Sequence, residues 1–238
     1  MNRTTLMSAG ALLLACLGCQ AERHAEAPSA MQPKEEGWRT TFAVDKANLG
    51  TEGKNPYFDL TPGTVTVFKE GAVTLTVTVL KETRVVDGVT TRIVEEHEEK
   101  GGQPQEISRN FFAIDRTTGD VFYMGEEVDI YENGKVVNHD GAWLSGVAGA
   151  RFGLAIAAKP RVGDKYHQEI APGVAMDRNE IVSVEETVKT PAGTFEHCVH
   201  VRETTPLEPD VSHKWFAPGV GLVKDGKAER VSPVVKRP

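Results

Sequence analysis

The chain has 238 residues, with 27 Lys and Arg against 34 Asp and Glu, a formal net charge of −7. That balance argues against non-specific binding to nucleic acid or to an anionic membrane surface, both of which need excess positive charge. At its start, Met1–Thr5 are polar with Arg3 the one charged side chain, Leu6–Leu14 form a short apolar run, and Ala15 and Cys16 follow. A positive start, a short apolar core and small residues before a cut form the layout of a secretory signal peptide. The run is too short to cross a bilayer, which takes about 20 residues, so residues 1–15 are expected to be a signal that is removed.

Leu13-Leu14-Ala15-Cys16 resembles the bacterial lipobox, and Cys16-Leu17-Gly18-Cys19 is a second, poorer match. The resemblance implies that Cys16 (or Cys19) carries a diacylglyceryl group and becomes the mature N-terminus. It also implies a membrane partner reached through the lipid anchor, on the periplasmic or cell-surface side. Neither Leu17 nor Gln20 is the aspartate that favours inner-membrane retention, which tilts the address to the outer membrane if the cell has one. Residues 16–36 then read as the lipidated cysteine and a tether. The stretch from Gln20 to Glu36 is rich in Ala, Glu, Pro and Ser without apolar period, and such a composition does not bury enough surface to fold.

Residues 37–235 read as a single β-rich domain. Val73, Leu75, Val77 and Val79 alternate with threonines, the period of a half-buried strand. Asp87-Gly88 and Asn133-Gly134 each stand between two such runs and predict tight hairpins, because a type I′ turn needs φ > 0 at both central positions. Thr118-Gly119-Asp120, Pro191-Ala192-Gly193 and Pro218-Gly219 mark further strand-to-strand turns. About ten strands are expected, and no long segment has helical period. Trp143–Ala157 is the one stretch that admits a short helix or a lid, although Gly146, Gly149 and Gly153 weigh against a helix. The predicted fold class is therefore all-β: a strongly curved antiparallel sheet, a half-barrel or incomplete barrel, with at most a short helix or lid near 143–157. The strands lack the outward apolar band of an outer-membrane barrel.

Four stretches are familiar together: Asn55-Pro-Tyr-Phe-Asp-Leu-Thr-Pro-Gly63, Pro160-Arg-Val-Gly-Asp164, Thr190-Pro-Ala-Gly-Thr-Phe195 with Cys198, and Trp215-Phe-Ala-Pro-Gly-Val-Gly-Leu-Val223. They resemble a group of bacterial secreted or lipid-anchored β-domains with no assigned activity. The resemblance implies a fold similar to half-barrel lipoprotein carriers and says nothing about chemistry.

Candidate chemistry is sparse. Cys198 and His200, two apart on a predicted strand, share a face, but two ligands do not make a metal site. A third would have to come from His97, His139, His167 or His213. His197 is expected on the opposite face with Phe195, Val199 and Val201, packed in or near the core. Glu95, Glu96, Glu98 and Glu99 flank His97 and split between two faces, which reads as a solvated strand end. Asp115–Asp120 lacks the alternating oxygen ligands of a calcium loop. No serine lies in Gly-x-Ser-x-Gly and no His-Glu-x-x-His occurs, so no enzyme activity, metal or cofactor is implied. The expectation is an exported envelope lipoprotein that acts as a non-catalytic binding module for an apolar or lipid-like ligand. One parity of a strand (Val73, Leu75, Val77 and Val79) would oppose Trp143, Phe152 and Leu154 across the pocket. The rival is a structural or interaction protein of the envelope in which the same side chains fill a closed core.

Overall fold

The structure, a computed structural model, describes residues 37–231 and 235–236. The signal segment, Cys16 and Cys19, and the tether lie outside the described residues. A first segment contains the 3-10 turn Lys46–Asn48, capped by Asp45, and the short strand β1 (Leu49–Gly50). An up-and-down run follows: β2 (Thr64–Glu70), β3 (Val73–Val86), β4 (Val89–Lys100), β5 (Gln103–Asp115) and β6 (Val121–Glu132). Short pieces come next, β7 (Lys135–Asn138), β8 (Trp143–Leu144), β9 (Arg151–Ile156), β10 (Lys165–His167) and β11 (Glu169–Ile170). A second meander of β12 (Arg178–Thr190), β13 (Gly193–Thr204), β14 (Val211–Ala217), β15 (Gly221–Asp225) and β16 (Ala228–Arg230) precedes β17 (Val235–Lys236).

All the strand ladders are antiparallel. The turn chemistry read from the sequence sets their order: Asp87 and Gly88 have φ of 50° and 78°, and Asn133 and Gly134 have 52° and 74°, the left-handed pairs that a type I′ hairpin requires. The wall runs β2-β3-β4-β5-β6-β9 in one direction and β12-β13-β14-β15-β16 in the other. The two ends meet where β16 pairs with β2, Arg230 opposite Phe68. Burying the apolar face of so long a sheet curls it nearly shut.

The ring has one seam. β10 pairs with β12 along one edge, while β11 pairs with β9 along the other. The free edge of β10 is filled from the N-terminal segment: Arg39 forms a parallel bridge to Tyr166, its N–H donating to Lys165 O and its carbonyl accepting from His167 N, each at 3.0 Å. Beside it, Gly153 lets β9 press close to the chain between β10 and β11. A Cβ there would lie 2.4 Å from His167 O and 2.5 Å from Gln168 O.

Segment 143–157 forms no helix and no lid. β9 is a stave of the wall, paired with β6 and β11. The wall is charged on the outer side of β3–β6, where Arg84 pairs with Glu127 and Arg109 with Glu95 and Asp129. Such a surface suits water and not acyl chains. Among the described residues no helix is long and apolar enough to cross a membrane.

Candidate ligand-binding site

The alternation that built the strands also sorts their side chains between lumen and exterior. Val77 lies opposite Glu96, Glu96 opposite Ser108, and Asn110 opposite Glu126, so these side chains line one inner surface. Above them the inner surface opens into a cavity of about 130 Å³. Its apolar wall comes from Phe58, Val77, Val79, Phe112, Phe216 and Leu222, and its polar end from Glu96, Asn110, Gln168 and Lys214. Phe112 stacks on Tyr123 at 4.9 Å between ring centroids and packs against Phe58 at 4.8 Å. The Tyr123 hydroxyl donates to Asn110 Oδ1, which fixes that side of the wall.

Two loops make the mouth. Tyr57, Phe58 and Asp59 face Val220, Gly221 and Leu222 across it. Asn55 holds the first loop in place: its amide nitrogen donates to Gly119 O at 2.8 Å and its side-chain oxygen accepts from Tyr57 N at 2.8 Å. Gly219 N donates to Pro56 O at 2.7 Å, which ties the loops together. Two of the four familiar stretches, 55–63 and 215–223, thus converge on the mouth. The Pro160–Asp164 stretch is the turn before β10, closed by Asp164 Oδ2 accepting from Arg161 N.

The pocket residues expected from sequence separate in the structure. Val77 and Val79 line the cavity. Leu75 is buried in a small cluster with Phe68 and Ala228, and Val73 packs on that cluster. Trp143 is buried with its ring edge-to-face on Tyr123 at 5.2 Å, so it supports the wall. Phe152 and Leu154 are on the opposite face. Leu154 lies opposite Phe122, and Phe122 contacts both Phe152 and Phe42 of the N-terminal segment. Ala155, between Leu154 and Ile156, is the β9 residue that reaches the cavity. The outer face of β9 is apolar because the N-terminal segment covers it, and the sequence gives no sign of that partner.

Sequence reasoning passed over the lumen's charged groups. Lys214 Nζ sits 2.6 Å from Glu203 Oε2, with both side chains largely buried. Burial pulls this ammonium down, yet Glu203 and Asp225 outweigh it and hold its pKa above the lysine range. Burial pushes Glu96 up to about 8; Lys214 opposes that rise, and Glu106, Asp225 and Glu98 add to it. Burial likewise lifts Asp177 to about 7 and Asp225 to about 6. Glu126 and Glu169 lie well above the carboxylate range for the same reason. The acidic strand end expected to be solvated is therefore only half so: Glu95 and Glu99 point outward, and Glu96 lines the cavity.

Outside the wall, Cys198 and His200 lie on one strand but in different settings. Cys198 is fully buried with Val188, Ala217 and Val223, and burial raises its thiol pKa. His200 stacks on Trp215 at 4.5 Å, and its ring nitrogens meet Glu186 and His213 at 2.8 Å each. His197 departs from expectation. A bulge puts it at φ 54°, and its side chain is exposed beside Glu185 instead of packed with Val199 and Val201. Among the described residues, no group of three or more His, Cys, Asp or Glu could hold a metal ion.

No family model matches the chain, and no curated protein matches it. A solved structure from Parabacteroides distasonis ATCC 8503, of a protein provisionally described as a lipoprotein, is similar over 76% of this chain and 95% of that chain. The identity is 16% and the TM-score 0.38.

Proposed function

We propose that this chain is an exported envelope lipoprotein, anchored through Cys16 or Cys19, whose barrel is a non-catalytic binding module for a small apolar ligand. The observation that carries the reading is the cavity of about 130 Å³, with an apolar wall and a mouth between two tied loops. An engineered cavity of about 150 Å³ lined by apolar side chains binds benzene, so the enclosed space suits a group of that size. A longer chain would extend through the mouth. Cys198, the one cysteine among the described residues, is buried in a cluster of its own outside the cavity. The anchor rests on the lipobox-like residues alone.

The test is native mass spectrometry of the full-length chain carried in nanodiscs, beside the Val77→Trp variant, whose indole fills the cavity. A stoichiometric small molecule on the wild type, absent from the variant, is the expected result. An unliganded wild type that also ignores small apolar probes would turn the reading to a structural role.

A further inference from the structure

The charged groups lining the cavity are two acids, Asp59 and Glu96, and one cation. Lys214 is the one cation among the described residues that lines it, and its ammonium is already paired with Glu203 at 2.6 Å. Glu203 in turn accepts from Ser212 Oγ at 3.1 Å, so that pair is held from behind. The Glu96 carboxylate lines the cavity and has no hydrogen-bond or ion-pair partner among the described residues. Two further acids point the same way. Glu126, 1% exposed and opposite cavity-lining Asn110, has a buried Oε2 without a hydrogen-bond partner, as does Oδ2 of Asp225. Each such atom is held out of water without a donor to replace it.

We infer that the cavity takes a small ligand with an apolar body and one ammonium group, the ammonium lying at the Glu96 end. This rests on the binding reading above. An ammonium brings three N–H donors and one positive charge to a lumen short of both. A carboxylate or phosphate would find one cation at that end, Lys214, and it is already paired with Glu203. A hydroxyl would gain only the apolar part of the interaction. The wall of Phe58, Phe112 and Phe216 suits a body of about six carbons, the benzene scale of a cavity this size.

Binding is then linked to protons. Glu96 faces Lys214 of β14, Asp225 of β15, Glu106 of β5 and Glu98 of its own strand, and Glu126 of β6 feels its charge. Burial first, and then these surrounding acids, push Glu96 up to about 8, so it holds a proton at neutral pH. An arriving ammonium favours the carboxylate, and the displaced proton leaves to buffer.

Calorimetric titration of the full-length chain in nanodiscs, with empty nanodiscs as blank, tests this using hexylamine, 1-hexanol and hexanoate. Hexylamine should bind at least tenfold more tightly than hexanol, and hexanoate most weakly. Hexylamine affinity should rise roughly tenfold from pH 6 to pH 7, with proton release in buffers of differing ionisation enthalpy. Glu96→Gln, close in shape, should bring hexylamine to the level of hexanol, leave hexanol unchanged and abolish the proton release. Hexanoate binding as well as hexylamine, or an unaltered amine preference in Glu96→Gln, would overturn the inference while leaving the binding reading intact. If none of the three probes binds, the binding reading falls and this inference with it.

Discussion

Lys214 is the residue on which the lumen's charge balance turns. Removing one partner of a buried ion pair leaves the other charged and poorly solvated, at a cost of about 3–5 kcal/mol. Lys214→Met should therefore lower stability in urea by that amount at pH 7. The loss should shrink at pH 5, where Asp225, lifted by burial to about 6, takes up a proton. The surrounding acids give the wild type a pH dependence of definite sign. A carboxyl group whose pKa is higher in the folded than in the unfolded chain keeps its proton longer in the fold. Its contribution is complete at low pH and is lost as the pH climbs through the folded value. For Glu96 that window runs from about 4.5 to about 8, and those of Asp177 and Asp225 close near 7 and 6. The urea midpoint should fall steadily from pH 5 to pH 8.5. Glu96→Gln should reduce the slope by at most about 1.4 kcal/mol per pH unit and should be more stable than wild type at pH 8.5. A midpoint that rises with pH would contradict the placement of these acids inside the wall.

At the scale of elements, closure depends on how near β9 can come to its neighbours. Gly153→Ala puts a methyl group against two carbonyl oxygens of the backbone, contacts that no side-chain rotation can relieve. The expected loss is about 3 kcal/mol in chemical denaturation, whereas Gly134→Ala, at an open hairpin tip, should lose less. The elements whose signals are local were legible in the sequence. The Val73–Val79 alternation and the Asp87-Gly88 and Asn133-Gly134 turns fixed the strands and their connections, because period and left-handed φ are properties of a few adjacent residues. The contacts that join distant parts were not. Phe152 and Leu154 read as pocket residues because nothing near them in sequence announces Phe122 beside them or Lys46 over the Phe152 ring. The pairing of β16 with β2 joins residues more than 150 positions apart. Glu96 and Lys214 were passed over for a related reason: an acid on an alternating strand reads as the solvent side until the far wall is known. The lining valines Val77 and Val79 were found, and the polar end that gives the site its chemistry was not.

For the whole molecule, the proposed anchor sets address and reach. Cys16→Ala should move the chain out of the lipid-modified fraction in labelling with a palmitate analogue. Should Cys19→Ala do so instead, the cut lies three residues later. Acting as the tether that their composition implies, residues 16–36 would reach about 25 Å on average, enough for the proposed anchor to leave the barrel clear of the bilayer surface. The described chain begins at Gly37, two residues before Arg39, whose bridge to Tyr166 fills the seam of the wall. Tension from the proposed anchor would therefore reach Trp38, packed on His167 and against Lys165 and Arg178, and then that bridge. There it meets two hydrogen bonds at one residue, taken one after the other, instead of a ladder loaded all at once. Under pull the side of the barrel yields before its rim, so a membrane-held copy would part along β9 and β10 while the tied loops at the mouth stay shut.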